Sequence, residues 1–257
     1  MKRILTASVM IPVVLYAVLG DVEWQGVPWL FLLVLVAVAE ICFDEYSIIT
    51  ASREPLAYAA GLFILLAPLP WLGIFTVLFT LLMMTLAMRY QDLGVAFGRT
   101  AALILGVIYI FGSWRTAVLL RAINPWWLVF GLVVSWIGDT GAYYVGRRYG
   151  RHKLAPQVSP KKTWEGAIAS AVVSGLAGAL ALPRLIPGVG IAEALLLALA
   201  ANIAGQIGDL AESAIKRGAG VKDSGTLLPG HGGLLDRVDS SMFALPVLYG
   251  ILAALGR

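Results

Sequence analysis

Charge is scarce in this 257-residue chain. Asp, Glu, Lys and Arg make up only 13% of it, well below the roughly 25% of ordinary soluble domains. That shortage excludes a soluble fold, and 60% hydrophobic residues point the same way. A single cysteine, Cys42, excludes an internal disulfide. Two histidines, His152 and His231, and no cysteine pair argue against zinc. No GxxxxGK[ST] run is present, so there is no Walker-type phosphate loop. No small-x-small cleavage site follows the first apolar run, which reads as a retained helix rather than a signal peptide. Internal repeats and low-complexity linkers are also missing.

What is there is a series of long apolar runs. Crossing a hydrocarbon core of about 30 Å takes roughly 20 helical residues. Lipid cannot satisfy open backbone groups, and the runs are continuous rather than alternating, so helices are expected and a β-barrel is not. The fold class is all-α, a polytopic membrane protein with about nine spans: 4–20, 26–42, 56–68, 71–88, 100–114, 126–146, 165–183, 190–207 and 241–256. The third and fifth are short. With a cytoplasmic N-terminus, 15 of the 19 Lys and Arg fall on the cytoplasmic side, as the positive-inside rule demands. Arg115, Arg121, Arg184 and Arg257 remain outside. The organisation is one membrane domain. Residues 1–125 serve as scaffold and possible dimer contact, and 126–257 carry the site. The mild positive balance suits anionic headgroups or phosphates rather than nucleic acid.

Polar residues concentrate after position 135. Asp139 lies deep in an apolar run, where an ionised carboxylate costs about 2.5–3.5 kcal/mol. Ser135, Asp139 and Tyr143 share one helical face. The stretch 159–166 reads as a turn followed by a helix start, with Lys161 and Lys162 beside Trp164 and Glu165. On a continuing helix Asp209, Glu212, Ser213 and Lys216 also share a face. A Gly-rich turn follows, and Asp236 and Asp239 then open the last span three residues apart. Three carboxylates from two segments, Asp209, Asp236 and Asp239, suit a hard cation such as Mg²⁺, which binds through a few carboxylates plus substrate phosphates. A solvated loop with helix caps is the bland alternative, as is a transporter path lined by Asp139, Asn202, Gln206 and Asp209.

The ordered run Ser213-Ala-Ile-Lys216-Arg217, Lys222-Asp223 and Pro229-Gly-His231-Gly-Gly-Leu-Leu-Asp236-Arg237-Val-Asp239 resembles the signature of the phosphatidate cytidylyltransferases. SWIGDTGAYYVGR (135–147) and SPKKTWEG (159–166) resemble the same family. The D-G-x-x-A-R run of the CDP-alcohol phosphotransferases is absent. The resemblance implies that CTP and phosphatidate give CDP-diacylglycerol and pyrophosphate with Mg²⁺, a second cation being possible. It implies an enzyme of the bacterial cytoplasmic membrane, with its site facing the cytoplasm and a homodimeric state. Asp209, Asp236, Asp239, Lys222 and Arg237 are then expected to be catalytic, the three carboxylates holding metal. Ser135, Asp139, Lys161, Lys162, Thr163, Glu165, Lys216, Arg217, Asp223 and His231 are expected to contact substrate or shape the cavity.

Overall fold

The computed structural model describes residues 12–20, 27–228, 230 and 232–257. Among them, a helix falls on each of the nine apolar runs. They are α1 (12–19), α2 (Trp29–Ile49), α3 (Pro55–Leu66), α4 (Leu69–Ala87), the continuous rod α5–α6, α7 (Pro125–Tyr149), α8 (Trp164–Leu185), α9 (Ile191–Gly218) and α10 (Leu235–Ala254). The rod comprises α5 (Leu93–Val107), a π turn (Ile108–Gly112) and α6 (Ser113–Ile123). Five of the helices are long and apolar enough to cross a membrane: α4, the rod, α7, α8 and α9. With these spans the chain is a helical membrane protein. α2 has the length as well, but Glu40, Asp44 and Glu45 interrupt its apolar face.

Several bounds differ from the sequence expectation for one reason: hydropathy ends where charge begins, while the helix continues. α2 runs on to Ile49 and α9 to Gly218 because the added turns carry the polar side chains of the site. Within 159–166 the expected turn is instead the second strand of a short antiparallel hairpin, β1 (Lys153–Ala155) with β2 (Ser159–Thr163), and the expected helix start follows at Trp164. Thr163 ends it and accepts a hydrogen bond from Gly166 N, capping α8.

Side-chain contacts sort the connections into two layers. In one, Glu45 meets the start of α10, Lys162 meets Asp209, and Arg217 reaches Val158 O. The other holds the four arginines that the charge rule leaves outside. Each donates to backbone carbonyls: Arg115 to Ile64 and Leu65, Arg121 to Val18 and Gly20, Arg184 to Leu180, Arg257 to Gly188. Helix C-termini leave carbonyls without intrahelical donors, and lipid supplies none. α3 has only 12 residues, about 18 Å at 1.5 Å each. Its last carbonyls, those of Ile64 and Leu65, accept from the buried Arg115.

α7, α8 and α9 pack around a buried polar network. Asn202 Nδ2 donates to Ser170 Oγ (3.1 Å) and Ser174 Oγ (2.9 Å), and Ser174 Oγ donates to Val134 O (2.8 Å). Gln206 Nε2 donates to Asn202 Oδ1 (2.7 Å) and Ala167 O (3.2 Å). Hydrogen bonds and small residues hold such helices where the hydrophobic effect offers no preference between lipid and protein. Gly138 makes the approach possible, since a Cβ there would lie 2.3 Å from Asn202 Nδ2 and 2.5 Å from Ser170 Oγ.

Candidate active site

Two cavities open between these helices. The first, about 520 Å³, has an apolar wall and a charged end. Val18, Phe31 and Leu35 with Trp114, Leu128 and Leu132 form the wall. Asp139, Asp209, Lys216, Asp223, Asp236, Arg237 and Asp239 form the charged end. The second, about 620 Å³, lies between α7, the hairpin, α8 and α9. It is predominantly basic, with Arg147, Lys153, Lys161 and Lys162, and it includes Thr163 and Gln206. Both volumes are of ordinary ligand size. Asp139 and Asp209 line both cavities, so the two meet at these residues.

The charged end is organised from α9 and α10. Helical spacing brings Lys216 over Glu212, with which it forms an ion pair, and Lys216 Nζ also lies 2.5 Å from Asp236 Oδ1. All three are largely withdrawn from solvent. Asp236 Oδ2 accepts from Ser224 N and Gly233 N, both at 2.9 Å. Asp209 Oδ2 lies 2.5 Å from Lys162 Nζ, which ties α9 to the hairpin. Asp209 stands close enough to Asp139 and Asp239 for their like charges to repel. Asp239 Oδ1 accepts only locally among the contacts recorded, from Ser240 N at 2.6 Å and Ser240 Oγ at 3.4 Å.

Of the residues expected from sequence, the cavities gather Asp139, Lys161, Lys162, Thr163, Asp209, Lys216, Asp223, Asp236, Arg237 and Asp239. Four others line neither. Ser135 is buried between helices, beside Gly205. Glu165 turns to His152, 2.6 Å from Nδ1, and accepts from its backbone N–H. Arg217 donates to Val158 O and Val221 O, bracing the hairpin and the end of α9. Lys222 is exposed on the loop. His231 lies outside the described residues. The expected three-carboxylate metal cage is not assembled: among the described residues no three metal-ligating side chains converge. Asp236 is already engaged by an ammonium and two N–H groups. Asp209 and Asp239 face the same cavity with Asp139. They fit a Mg²⁺ ion, which binds through one or two carboxylates and completes its shell with water and phosphate oxygens.

Sequence reasoning missed Glu45 and Arg147. Glu45 sits in α2, inside an apolar run with no motif around it, and its buried carboxylate is the one signal that marks it. Arg147 enters the sequence reading as an orientation charge and as the end of the stretch 135–147, with no ligand role of its own.

Comparison with known proteins agrees with this geometry. Residues 1–255 match the model of the cytidylyltransferase family. A phosphatidate cytidylyltransferase of Pseudomonas aeruginosa is 36% identical, the match covering 99% of this chain and 97% of that protein. Namesakes from Bacillus subtilis and Brucella suis are 39% and 47% identical over 61% and 56% of this chain, or 60% and 54% of their own. A family match that runs almost from end to end, over a site with these two cavities, means that the chain belongs to the cytidylyltransferase family.

Proposed function

We propose that this protein is a phosphatidate cytidylyltransferase, which makes CDP-diacylglycerol and pyrophosphate from CTP and phosphatidate in phospholipid biosynthesis. The observation that carries the reading is the meeting of an amphipathic cavity and a basic cavity at Asp139 and Asp209. Phosphatidate has one charged headgroup and two apolar chains, which suits the first cavity. CTP is a polyanion, which suits the second. A phosphate oxygen of the lipid attacks the α-phosphorus of CTP. The new P–O bond forms as the bond to the β-phosphate oxygen breaks, and the electron pair leaves with pyrophosphate. The nucleophile is already ionised near neutral pH, so no strong general base is needed.

Two anions must approach each other, and their repulsion is the first barrier. Lys162, Lys161, Arg147 and Lys153 would hold the triphosphate, with Lys162 released from Asp209 toward it. Arg237 would meet the lipid phosphate from the first cavity. Bound Mg²⁺, held by Asp209 and Asp239, would supply positive charge to the phosphate oxygens. Lys216 and Asp236 would keep the site's frame rather than touch the nucleotide. No second cation is needed for this account.

The same proposal has all nine apolar runs carrying the chain across the membrane, with a cytoplasmic N-terminus and residues 126–257 supplying most of the site. A homodimer in the cytoplasmic membrane of a bacterium belongs to it as well. Fifteen of 19 basic residues on one side support the orientation. The four remaining arginines each serve carbonyls.

The test is CTP-dependent conversion of phosphatidate by the detergent-purified protein. Chelation should abolish it and Mg²⁺ restore it. Asp209→Asn should lower the rate at least 100-fold. A wild-type protein without CTP turnover overturns the assignment, and full activity after chelation overturns the metal.

A further inference from the structure

Glu45 belongs to the half of the chain that the sequence marks as scaffold, and it lines neither cavity. Its side chain is nevertheless buried, at 7% exposure, and every hydrogen bond recorded to it comes from the site. Oε1 accepts from Leu234 N (2.9 Å). Oε2 accepts from Leu235 N (2.9 Å) and from Ser224 Oγ (2.8 Å). Two of these donors are backbone N–H groups at the start of α10, which have no intrahelical acceptor and favour a negative charge. The third, Ser224, lies within the connection 219–234 between α9 and α10 and begins its stretch 224–233. Asp236 holds the same two places from within α10, through Ser224 N and Gly233 N. Two carboxylates, one from each half of the chain, therefore grip both ends of the loop 224–233.

The glycines of the loop match this arrangement. A Cβ at Gly225 would lie 2.7 Å from Glu45 Oε1, and its three nearest atoms all belong to Glu45. A Cβ at Gly233 would lie 2.0 Å from Ser224 Oγ and 2.4 Å from Glu45 Oε2, the two atoms that hydrogen-bond each other. Glycine at these two places leaves room for the carboxylate of Glu45, shared at Gly233 with the Ser224 hydroxyl.

We propose that Glu45 is a positioning residue of the transferase site: it fixes the loop 224–233, and through it Asp236 and Lys216, without touching either substrate. The kinetic part rests on the transferase reading above, whereas the loop part does not. Glu45→Gln keeps the shape but turns an NH₂ group toward donors, leaving at least one buried N–H unpaired.

Wild type, Glu45→Gln, Glu45→Ala, Gly225→Ala and the Glu45→Ala/Gly225→Ala double variant are purified in detergent. Each is assayed for turnover per folded protein and for trypsin cleavage after Lys222 below the unfolding temperature. Glu45→Gln should lower kcat at least tenfold, with the KM for phosphatidate within threefold, and should speed cleavage after Lys222 at least fivefold. Gly225→Ala should do the same alone but cost less than twofold more in the Glu45→Ala background, since its methyl group displaces only that carboxylate. Wild-type kcat in Glu45→Gln, activity lost only in proportion to folded protein, or unchanged cleavage overturns the proposal. If Glu45→Gln is not recovered folded, Gly225→Ala decides by the same readouts. A wild type without turnover overturns the transferase reading and the kinetic claim with it, while the trypsin arm still judges the loop.

Discussion

Lys216 holds two carboxylates at once, Glu212 on its own helix and Asp236 across the loop, and all three are largely buried. Removing one member of such a cluster leaves uncompensated charge in a poorly solvated place. Lys216→Met keeps most of the volume and removes the charge. It should destabilise the fold by about 3–5 kcal/mol, measured as a lower midpoint of thermal unfolding in detergent, and activity should fall with it. Lys162 differs in kind. It pairs with Asp209 at the junction of the cavities and is only partly buried, so its charge is available to an incoming polyanion. Asn202 and Gln206, which a transport path would have needed as open polar walls, bond mainly to each other, to Ser170 and Ser174, and to Ala167 O.

Among the elements, the hairpin β1–β2 carries much of the second cavity's charge, since Lys153, Lys161 and Lys162 all lie on it. Its junction with α8 is capped by the hydroxyl of Thr163, which accepts from Gly166 N, and is braced by Glu165 and Trp164 on His152. Thr163→Ala should cost about 1 kcal/mol and raise amide exchange in the first turn of α8, while α9 and α10 keep their protection. The helices were legible because a span must be apolar: among the described residues each of the nine runs holds a helix, and five of these are long and apolar enough to cross a membrane. The hairpin was not, because SPKKT carries a proline, two lysines and only one β-branched residue, and its pairing partner is a run of three. Nor was the π turn at Ile108–Gly112, whose sequence IYIFG reads as ordinary helix. Helical spacing did disclose the shared face of Asp209, Glu212, Ser213 and Lys216. It could not say that Asp236 would be consumed by Lys216, because that contact joins residues 20 apart through a loop.

At the scale of the molecule, the two loop layers give a topology that labelling can check. The one native cysteine, Cys42, is fully buried, so an introduced thiol reports alone. Lys222→Cys should react with a membrane-impermeant maleimide only in inside-out vesicles, and Gly188→Cys only in right-side-out ones. The reverse pattern would overturn the orientation. The division into scaffold and catalytic halves was only partly legible for the same reason that Glu45 was missed. A buried acid in an apolar helix carries no motif, and its partners lie some 180–190 residues away.

That separation also sets a schedule. Glu45 leaves the ribosome long before Ser224, Leu234 and Leu235, and at roughly 5–20 residues per second the wait is about 10–40 s. During synthesis α2 therefore carries an unanswered carboxylate in an apolar setting, and only the last segment of the chain answers it. A nascent protein that stalls before residue 224 keeps that charge unmatched, so Glu45 marks an unfinished chain until α10 arrives.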